Sequence, residues 1–362
     1  MIKQIYLFGF STWKHPFLKP FIPHTLHLNF INPLFKKKYL QKAIKKGLEA
    51  DSQIYIWGKK PFEEVESYAA SKNIAICRVE DGFVRSVGLG SDLTQPYSLV
   101  IDTRGIYFDP SQESDLEHLL NFHNFSDVER ERAQKLRQYL IEKKLSKYNN
   151  YEGVSLDLPK NKKIILVPGQ VEDDASIRFG ASGMSNLELL KEARLSDENA
   201  YIIYKPHPDV LAGNRVGSVE PHVGLQFCDQ IVTEVSLDSV LSLADEVHTM
   251  TSLVGFEAIM RGIKVFTYGL PFYAGWGLSQ DKHVCERRKR RLSVDELTAA
   301  TLLLYPQYID PKTEKLCEVE VTLVGLEEER QKLADSMLYR VLTKTRNFVS
   351  RKSQQLLRFI SA

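Results

Sequence analysis

Tyr201-Ile202-Ile203-Tyr204-Lys205-Pro206-His207-Pro208-Asp209 is the stretch that decides the fold, because an apolar run ends here at two prolines that bracket a histidine. Each proline fixes its own φ and disfavours the helical region for the residue before it, so a strand must run into an extended loop. In open α/β sheets, loops at the carboxyl ends of strands carry the ligand sites. The alternative, a turn whose histidine only caps its neighbours, is common for such a pattern, and the surrounding motifs must decide.

Short apolar runs alternate with helical segments on both sides of this strand, which predicts two doubly wound, Rossmann-like units. In the first half, the predicted strands are Ile5 to Phe10, Ile54 to Trp57, Ile74 to Val79, Ser98 to Ile101 and Ile106 to Phe108, with helical segments at Phe62 to Ser71 and Ser126 to Lys147. In the second half, the predicted strands are Ile164 to Val167, Tyr201 to Lys205, Glu246 to His248 and Val265 to Tyr268, with helices at Ser185 to Arg194, Leu237 to Ala244 and Gly255 to Arg261.

A turn-rich and charged stretch separates the two halves. We therefore expect domains over residues 1–155 and 156–330, with a ligand site in the cleft between them. Residues 331–362 are predicted to form a basic amphipathic helix, since Ser336 to Ala362 contains no acidic residue. Such a helix either lies on an anionic membrane surface or packs back on the protein. The run Arg287 to Arg291 is either a solvated face or a site for an anionic neighbour such as phosphate or lipid.

Composition excludes several classes of protein. Lys and Arg total 48 against 46 Asp and Glu, a net charge of +2, which argues against a nucleic-acid-binding surface over the whole molecule. The four cysteines are far apart and form no CxxC pair, so neither a zinc site nor a disulfide framework is indicated. We expect no signal peptide and no membrane span, hence a soluble or peripheral cytoplasmic protein.

Three predicted strand ends in the second half carry polar clusters. The first, Gln170 to Ser176, contains the carboxylates Glu172, Asp173 and Asp174, which suit metal binding, proton transfer or attack on a sugar carbon, or simply form a solvated acidic turn. The second is His207 with its neighbours. The third, Thr249 to Glu257, offers hydroxyls and free N–H groups at a helix start. These suit a phosphate, with a carboxylate in reach of ribose, although capping explains single hydroxyls equally well.

Two further segments follow predicted strands. Arg78 to Ser86 sets Glu80, Asp81 and Arg85 together, either to bind an acidic substrate or as a structural ion-pair cluster. Tyr268 to Leu278 interleaves aromatic residues with glycines. Flat aromatic surfaces suit a sugar ring or base, although burial in the core is their commoner role.

As a set, these motifs resemble the bacterial capsule β-Kdo transferases of the KpsC type, over nearly the whole chain. The segments that carry the resemblance are Glu80 to Ser86, Ser146 to Asn149, Gln170 to Ser176, Lys205 to Val210, His248 to Glu257 and Tyr268 to Leu278. Typical members have two such modules in tandem, whereas this chain has one. Its sequence in these segments most resembles that of the second, 2,7-linking module.

The resemblance implies a GT-B-like, retaining glycosyltransferase that uses CMP-β-Kdo. It maps the proposed nucleophile onto Asp174 and CMP binding onto His207, Pro208, Ser252 and Glu257. Glu172 and Asp173 are candidates for proton transfer, but the sequence does not order the two. The remaining candidate substrate-binding residues are Gln170, Lys205, Thr251, Glu80, Asp81 and Arg85, and the resemblance assigns the last three to binding the acceptor or a sugar carboxylate.

The implied partners are CMP-Kdo, a lipid-linked Kdo acceptor, the inner-membrane surface, a second Kdo transferase and the capsule export machinery, with no nucleic acid. We expect no metal and no cofactor beyond the donor. Two other functions remain open: another GT-B-like CMP- or CDP-dependent transferase, such as a polyol-phosphate polymerase, and a noncatalytic scaffold of the capsule assembly and export complex. Donor choice separates the first, and an intact Gln170-x3-Asp174 pattern argues against the second.

Overall fold

The computed structural model describes residues 2–32, 38–86, 94–145, 156–213 and 215–336. It divides the chain into two compact units. Among the described residues, the first unit comprises residues 2–105 and 305–336, and the second comprises residues 106–304. The Ser146 to Asn149 segment and most of the predicted basic helix over 331–362 lie outside the described residues.

The first unit contains seven strands and four helices among the described residues. Its strands are β1 (Gln4–Phe8), β2 (His27–Ile31), β3 (Ser52–Trp57), β4 (Ala75–Asp81), β5 (Ser98–Asp102), β12 (Gln307–Ile309) and β13 (Leu316–Cys317). Its helices are α1 (His15–Leu18), α2 (Tyr39–Lys45), α3 (Glu63–Lys72) and α13 (Val319–Asp335), with short 3₁₀ turns at Thr12–Lys14 and Lys19–Phe21.

These strands form one sheet in the order β13-β12-β5-β4-β3-β1-β2. β1 to β4 are parallel, and β5, β12 and β13 are added in antiparallel pairings. Along β1, Ile5 and Leu7 point into one apolar cluster while Tyr6 and Phe8 point into another, so both faces are covered.

The second unit contains six strands and nine helices among the described residues. Its strands are β6 (Ile164–Pro168), β7 (Tyr201–Lys205), β8 (Gln230–Ile231), β9 (Glu246–Thr249), β10 (Lys264–Thr267) and β11 (Gln280–Asp281). Its helices are α4 (Asp115–Phe122), α5 (Asp127–Glu142), α6 (Ala175–Gly180), α7 (Asn186–Ser196), α8 (Pro208–Leu211), α9 (Pro221–Gly224), α10 (Leu237–Leu241), α11 (Leu253–Met260) and α12 (Val294–Thr298), which continues into a π-helical turn at Ala299–Leu304.

Its sheet is parallel throughout, in the order β11-β10-β9-β6-β7-β8. β6 is completely buried, and residues such as Ile165 and Val167 form the core with α7 residues Leu189 and Leu190. Serine side chains cap several helices of this unit. Ser185 and Ser126 each form a reciprocal capping box with the glutamate three residues on, which fixes where α7 and α5 begin.

The structure confirms the two predicted α/β units but differs in detail. The segment Ile106 to Phe108, predicted as a strand, lies in a turn. Residues from 305 on, which the sequence placed with the second half, return to the first sheet because β12 pairs with β5. Residues 106–145 belong with the second unit. None of the helices among the described residues combines the length and the apolar character of a membrane span.

Candidate active site

The predicted polar clusters of the second unit share one edge of its sheet. From β6 the chain continues to β7 and β8 on one side, whereas β9 lies on the other side of β6. The strand order therefore reverses between β6 and β9. Ligands of open α/β sheets bind outside the carboxyl ends of the strands at this reversal. The loops after β6, β7 and β9, which carry Asp174, His207 and Ser252, all start at this edge.

Gln170 ties two of these loops together. Its side-chain Nε2 donates to Thr251 Oγ1 at 3.0 Å, and its Oε1 accepts from the Thr251 backbone N–H at 3.0 Å and from Thr249 Oγ1 at 3.3 Å. Gln170 is buried. Its amide therefore holds the loop after β6 against the loop after β9, and Thr251 is engaged from both its backbone and its hydroxyl.

Asn186, which the sequence analysis did not single out, fixes the same loop from the other side. Its Oδ1 accepts from the Gln170 backbone N–H at 2.8 Å, and its Nδ2 donates to the carbonyls of Gln170 and Gly217, each at 2.8 Å. Gly217 has a φ of +129°, and a Cβ there would lie 2.6 Å from the Gln170 carbonyl oxygen. Only glycine permits this approach. An asparagine at the first position of a helix is the sole sequence signal of this role.

The two acidic residues before Asp174 have structural partners. Glu172 Oε1 accepts from the Asn186 backbone N–H at 2.7 Å, which satisfies a free donor at the start of α7. Asp173 is exposed and pairs with Arg215, whose Nε lies 3.1 Å from Asp173 Oδ1. These contacts favour structural roles for both carboxylates.

Asp174 is the N-cap of α6 and keeps one oxygen available. Its Oδ1 accepts from the Ser176 backbone N–H at 3.0 Å and from the Ser176 hydroxyl at 2.8 Å. Within the described part of the chain, its Oδ2 makes no hydrogen bond or ion pair. The side chain is half-buried. A carboxylate that is oriented through one oxygen and open at the other has the geometry that a nucleophile needs.

His207 is the N-cap of α8, and Pro208 occupies the first helical position, where its missing N–H costs nothing. His207 Nδ1 accepts from the Asp209 backbone N–H at 3.1 Å. A neutral imidazole that accepts at Nδ1 must carry its proton on Nε2. The ring is therefore set to donate from Nε2, and its side chain is 25 % exposed.

Lys205 ends β7 directly opposite Pro168 of β6. Its ammonium donates to the Val235 carbonyl at 2.5 Å, and burial lowers the pKa of Lys205 to about 8. Lys205 thus places a positive charge at the strand end, and it loses this charge as the pH rises above about 8.

The loop after β9 ends in a capped helix. Ser252 Oγ accepts from the Val254 N–H at 3.2 Å and so caps α11, while the Ser252 N–H donates to Thr249 Oγ1 at 3.2 Å. Tyr273 donates its hydroxyl proton to the Ser252 carbonyl at 2.6 Å. Glu257, in the second turn of α11, is buried. The capping interpretation of Ser252 is confirmed, and its hydroxyl still has its own proton to donate.

Glu80, Asp81 and Arg85 lie in the first unit, at and after the end of β4. Arg85 Nε donates to Asp81 Oδ2 at 2.7 Å, and the Asp81 N–H donates to Glu80 Oε1 at 3.0 Å. The guanidinium, which is 1 % exposed, also donates to the Ser86 hydroxyl and the Thr94 carbonyl. The ion-pair cluster considered from the sequence is therefore present.

The aromatic segment and the basic run are mainly structural. Phe272, Tyr273 and Trp276 are buried, so these rings form core and not a sugar platform. In the run Arg287 to Arg291, three cations have protein partners. Arg287 and Arg288 both donate to Glu117, at 2.6 and 3.0 Å, and Arg290 donates to the His123 carbonyl at 2.6 Å. The anionic neighbour expected for this run is thus in part Glu117.

Among the described residues, no group of three or more His, Cys, Asp or Glu side chains is placed to hold a metal ion. The three carboxylates after β6 point to separate partners. They do not converge on one point, so metal binding is the weakest of the three chemistries considered for them.

Comparisons with known proteins agree with the sequence motifs. The family model described as capsule polysaccharide biosynthesis protein matches residues 52–309. The capsule polysaccharide modification protein LipA of Neisseria meningitidis serogroup A is 46 % identical over 320 residues, which cover 88 % of this chain and 44 % of LipA. The lipopolysaccharide-processing protein LpsZ of Rhizobium meliloti is 40 % identical over 279 residues, 76 % of this chain and 63 % of LpsZ. This chain thus spans less than half the length of LipA.

Two solved structures match the fold closely. The β-Kdo 2,7 transferase of Thermosulfurimonas dismutans KpsC gives a TM-score of 0.73 at 38 % identity, covering 91 % of this chain and 100 % of that one. The β-Kdo 2,4 transferase of the same KpsC gives a TM-score of 0.77 at 30 % identity, covering 90 % and 98 %. The expected GT-B-like α/β fold and the resemblance to KpsC are therefore confirmed.

Proposed function

Because this chain belongs to the family of capsule polysaccharide biosynthesis proteins, we propose that it is a retaining β-Kdo transferase. It would move Kdo from CMP-β-Kdo to a lipid-linked Kdo acceptor in capsule synthesis. One observation carries the proposal: Asp174, His207 and Ser252 follow three adjacent parallel strands at the edge where the strand order reverses. The likeness to two KpsC β-Kdo transferases supports the choice of sugar.

The donor nucleotide would be held by the loops after β7 and β9. His207 would donate from Nε2 to a phosphate oxygen of CMP, and the Ser252 hydroxyl at the start of the eight-residue α11 would donate to another. Glu257 would accept from the ribose hydroxyls. Lys205 adds positive charge at the same edge, so we propose that the phosphate is balanced without a metal and that excess EDTA leaves the rate unchanged.

The nucleophile would be Asp174. Its free Oδ2 attacks the anomeric C2 of Kdo, the bond from C2 to the phosphate oxygen breaks, and CMP departs with that electron pair. An acceptor hydroxyl then attacks C2, loses its proton to a base or to water, and releases the Asp174 carboxylate. Two inversions at C2 give net retention. Ser176 serves this chemistry by fixing Oδ1.

The neighbouring candidates would act by positioning. Gln170 and Thr251 lock the two loops together, and Glu172 anchors the acidic loop to α7. Asp173 remains a candidate proton shuttle, in competition with its ion pair to Arg215.

The linkage formed would be 2,7, because identity is higher to the 2,7 module than to the 2,4 module, at 38 % against 30 %. The TM-scores order the two modules the other way, 0.73 against 0.77. Acceptor orientation depends on side chains, so sequence identity is the better guide to linkage. We propose a second Kdo transferase as a partner, and the acceptor lipid would bring both enzymes to the inner-membrane surface and the export machinery.

The test is transfer from CMP-β-Kdo by the wild type, Asp174→Asn and Asp174→Ala. Asn caps helices as well as Asp does, so Asp174→Asn keeps α6 while removing the nucleophile. We expect both variants to lose transfer. Asp157→Asn, at an exposed aspartate before β6, is the matched control and keeps it. Near-normal transfer by Asp174→Asn would refute the proposed mechanism. CDP-glycerol, offered in place of CMP-Kdo, should give no turnover.

A further inference from the structure

The first unit has its own reversal of strand order, and polar groups of unusual environment lie there. Four of its parallel strands lie in the order β2-β1-β3-β4, so the strand order reverses between β1 and β3. In sheets of this order, ligands bind outside the carboxyl ends of those two strands. Trp13 and Lys14 follow β1. Trp57 is the last residue of β3, and Lys60 follows it.

Lys14 carries a charge that the described residues leave without a hydrogen bond. Its Nζ lies 3.1 Å from the centre of the Trp57 ring and 3.7 Å from Asp81 Oδ1, too far for a hydrogen bond. Asp81 is shared with Arg85, which takes its Oδ2. The Lys14 side chain is only 13 % exposed. Burying an ammonium costs free energy unless acceptors satisfy its three protons, so an outside acceptor is expected.

Lys60 is anchored across the same reversal. Its Nζ donates to the Gly9 carbonyl at 2.6 Å. Gly9 has a φ of +78°, and a Cβ there would lie 2.8 Å from Lys60 Cδ. The glycine thus lets the lysine stem lie against the end of β1. Burial lowers the pKa of both Lys14 and Lys60.

The charges around Lys14 define the kind of anion that fits. The groups whose charges act on it are Lys60, Arg85, Glu80 and Asp81. Among the described residues, Lys14 and these two cations face two carboxylates, which leaves one net positive charge. That balance suits a singly charged carboxylate better than a phosphate dianion. Trp13, half-buried beside Lys14, adds an aromatic edge that suits a sugar ring.

We propose that the carboxyl ends of β1 and β3 form a binding site for the carboxylate of an acidic sugar, with Lys14 as its main ligand and Lys60 as its support. This rests on the proposed function in one respect: in a Kdo transferase, the acidic sugar is the terminal Kdo of the acceptor. Lys14 is then an acceptor-binding residue that contacts the substrate.

The test uses methyl β-Kdo as the probe and the three tryptophans of the chain as reporters. The full chain is labelled with 5-fluorotryptophan, and its fluorine NMR signals are assigned by substitution. Methyl β-Kdo should shift the signals of Trp13 and Trp57 and leave that of Trp276, buried in the second unit, unchanged. The analogue whose carboxylate is reduced to a hydroxymethyl group should bind about tenfold more weakly or worse. Equal binding of the two compounds would overturn the proposal.

Variants locate the effect. Lys14→Met should weaken methyl β-Kdo binding about tenfold or more, Lys14→Arg should largely retain it, and Lys19→Met, at an exposed lysine of the same unit, should leave it unchanged. The fluorine signals of Trp13 and Trp57 without added sugar report that the first unit of each variant is folded. If Lys14→Met does not fold, Gly9→Ala replaces it, because its Cβ must displace Lys60 and so weaken binding. Unchanged binding of methyl β-Kdo by the folded Lys14→Met variant refutes the carboxylate site. Inorganic phosphate that displaces methyl β-Kdo and binds more tightly than it also refutes the site.

Failure of this inference is distinct from failure of the proposed function. If the chain transfers Kdo but Lys14→Met does not change its affinity for methyl β-Kdo, only the carboxylate site is refuted. A chain that binds methyl β-Kdo through Lys14, but releases no CMP from CMP-β-Kdo, refutes only the transferase.

Discussion

Replacing Asn186 by alanine should loosen the loop that carries Asp174. Asn186 is 1 % exposed and makes three side-chain hydrogen bonds of 2.8 Å, one to the N–H and one to the carbonyl of Gln170 and one to the Gly217 carbonyl. Asn186→Ala leaves these three backbone groups without their partner. At about 1 kcal/mol for each lost bond, the free energy of unfolding of this region should fall by about 3 kcal/mol.

Because the chain has two units, the effect is best measured locally. Hydrogen exchange of the Gln170 amide under native conditions reports the free energy of opening at that bond. Asn186→Asp is the sharper comparison, since it keeps the acceptor for the Gln170 N–H but sets a carboxylate oxygen against two carbonyls. It should protect the amide no better than alanine does. Asn199→Ala, at an exposed asparagine of the same unit, is the control.

A free energy of opening at the Gln170 amide of Asn186→Ala within about 0.5 kcal/mol of the wild type, less than one net hydrogen bond, would show that Asn186 does not hold the loop. Protection of this amide in Asn186→Asp equal to that in the wild type would show the same.

Three further outcomes follow from the structure. Glu117→Gln should cost about 3 kcal/mol in a urea titration, because it leaves Arg288, 2 % exposed, without its buried carboxylate, whereas Glu131→Gln, at an exposed pair, should change nothing measurable. Burial lowers the pKa of His248 from 6.5 to about 4, so the fold is most stable above pH 6.5, where the ring is neutral in both the folded and the unfolded chain. Up to about 3 kcal/mol of the free energy of unfolding is lost as the pH falls from 6.5 towards 4, because the unfolded chain then binds a proton that the folded chain does not. His248→Asn should remove this part of the pH dependence of stability, and an unchanged dependence would show that His248 is not its source. The full chain should bind anionic liposomes at low salt through its basic residues beyond 336 and release them at high salt, and a chain ending at 336 that binds equally well would exclude the tail.

The sequence predicted those elements whose signals are local. The strand Tyr201–Lys205 has the predicted bounds, because β-branched and aromatic residues run straight into two prolines. Helix α3 lies within one residue of its prediction. The clustering of Asp174, His207 and Ser252 at one sheet edge followed from the rule that parallel strands end together.

What the sequence did not predict depends on partners far along the chain. β2 is held by pairing with β1, and β12 by pairing with β5, more than 200 residues earlier as their bounds show. Asn186 is an ordinary residue for the start of a helix. It fixes the loop only because the fold brings Gln170 and Gly217 into hydrogen-bond distance of its side chain. Lys14 stands out only once the fold sets it on Trp57.

If Asp174 is the nucleophile, it forms a covalent bond to Kdo that intact-protein mass spectrometry detects. The protein is mixed with CMP-β-Kdo in the absence of acceptor and quenched in acid. The wild type should gain the mass of one Kdo residue, on a peptide that contains Asp174, and Asp174→Asn should gain none. A wild type that releases CMP without any added mass, or an Asp174→Asn variant that carries the same adduct, would exclude Asp174 as the nucleophile.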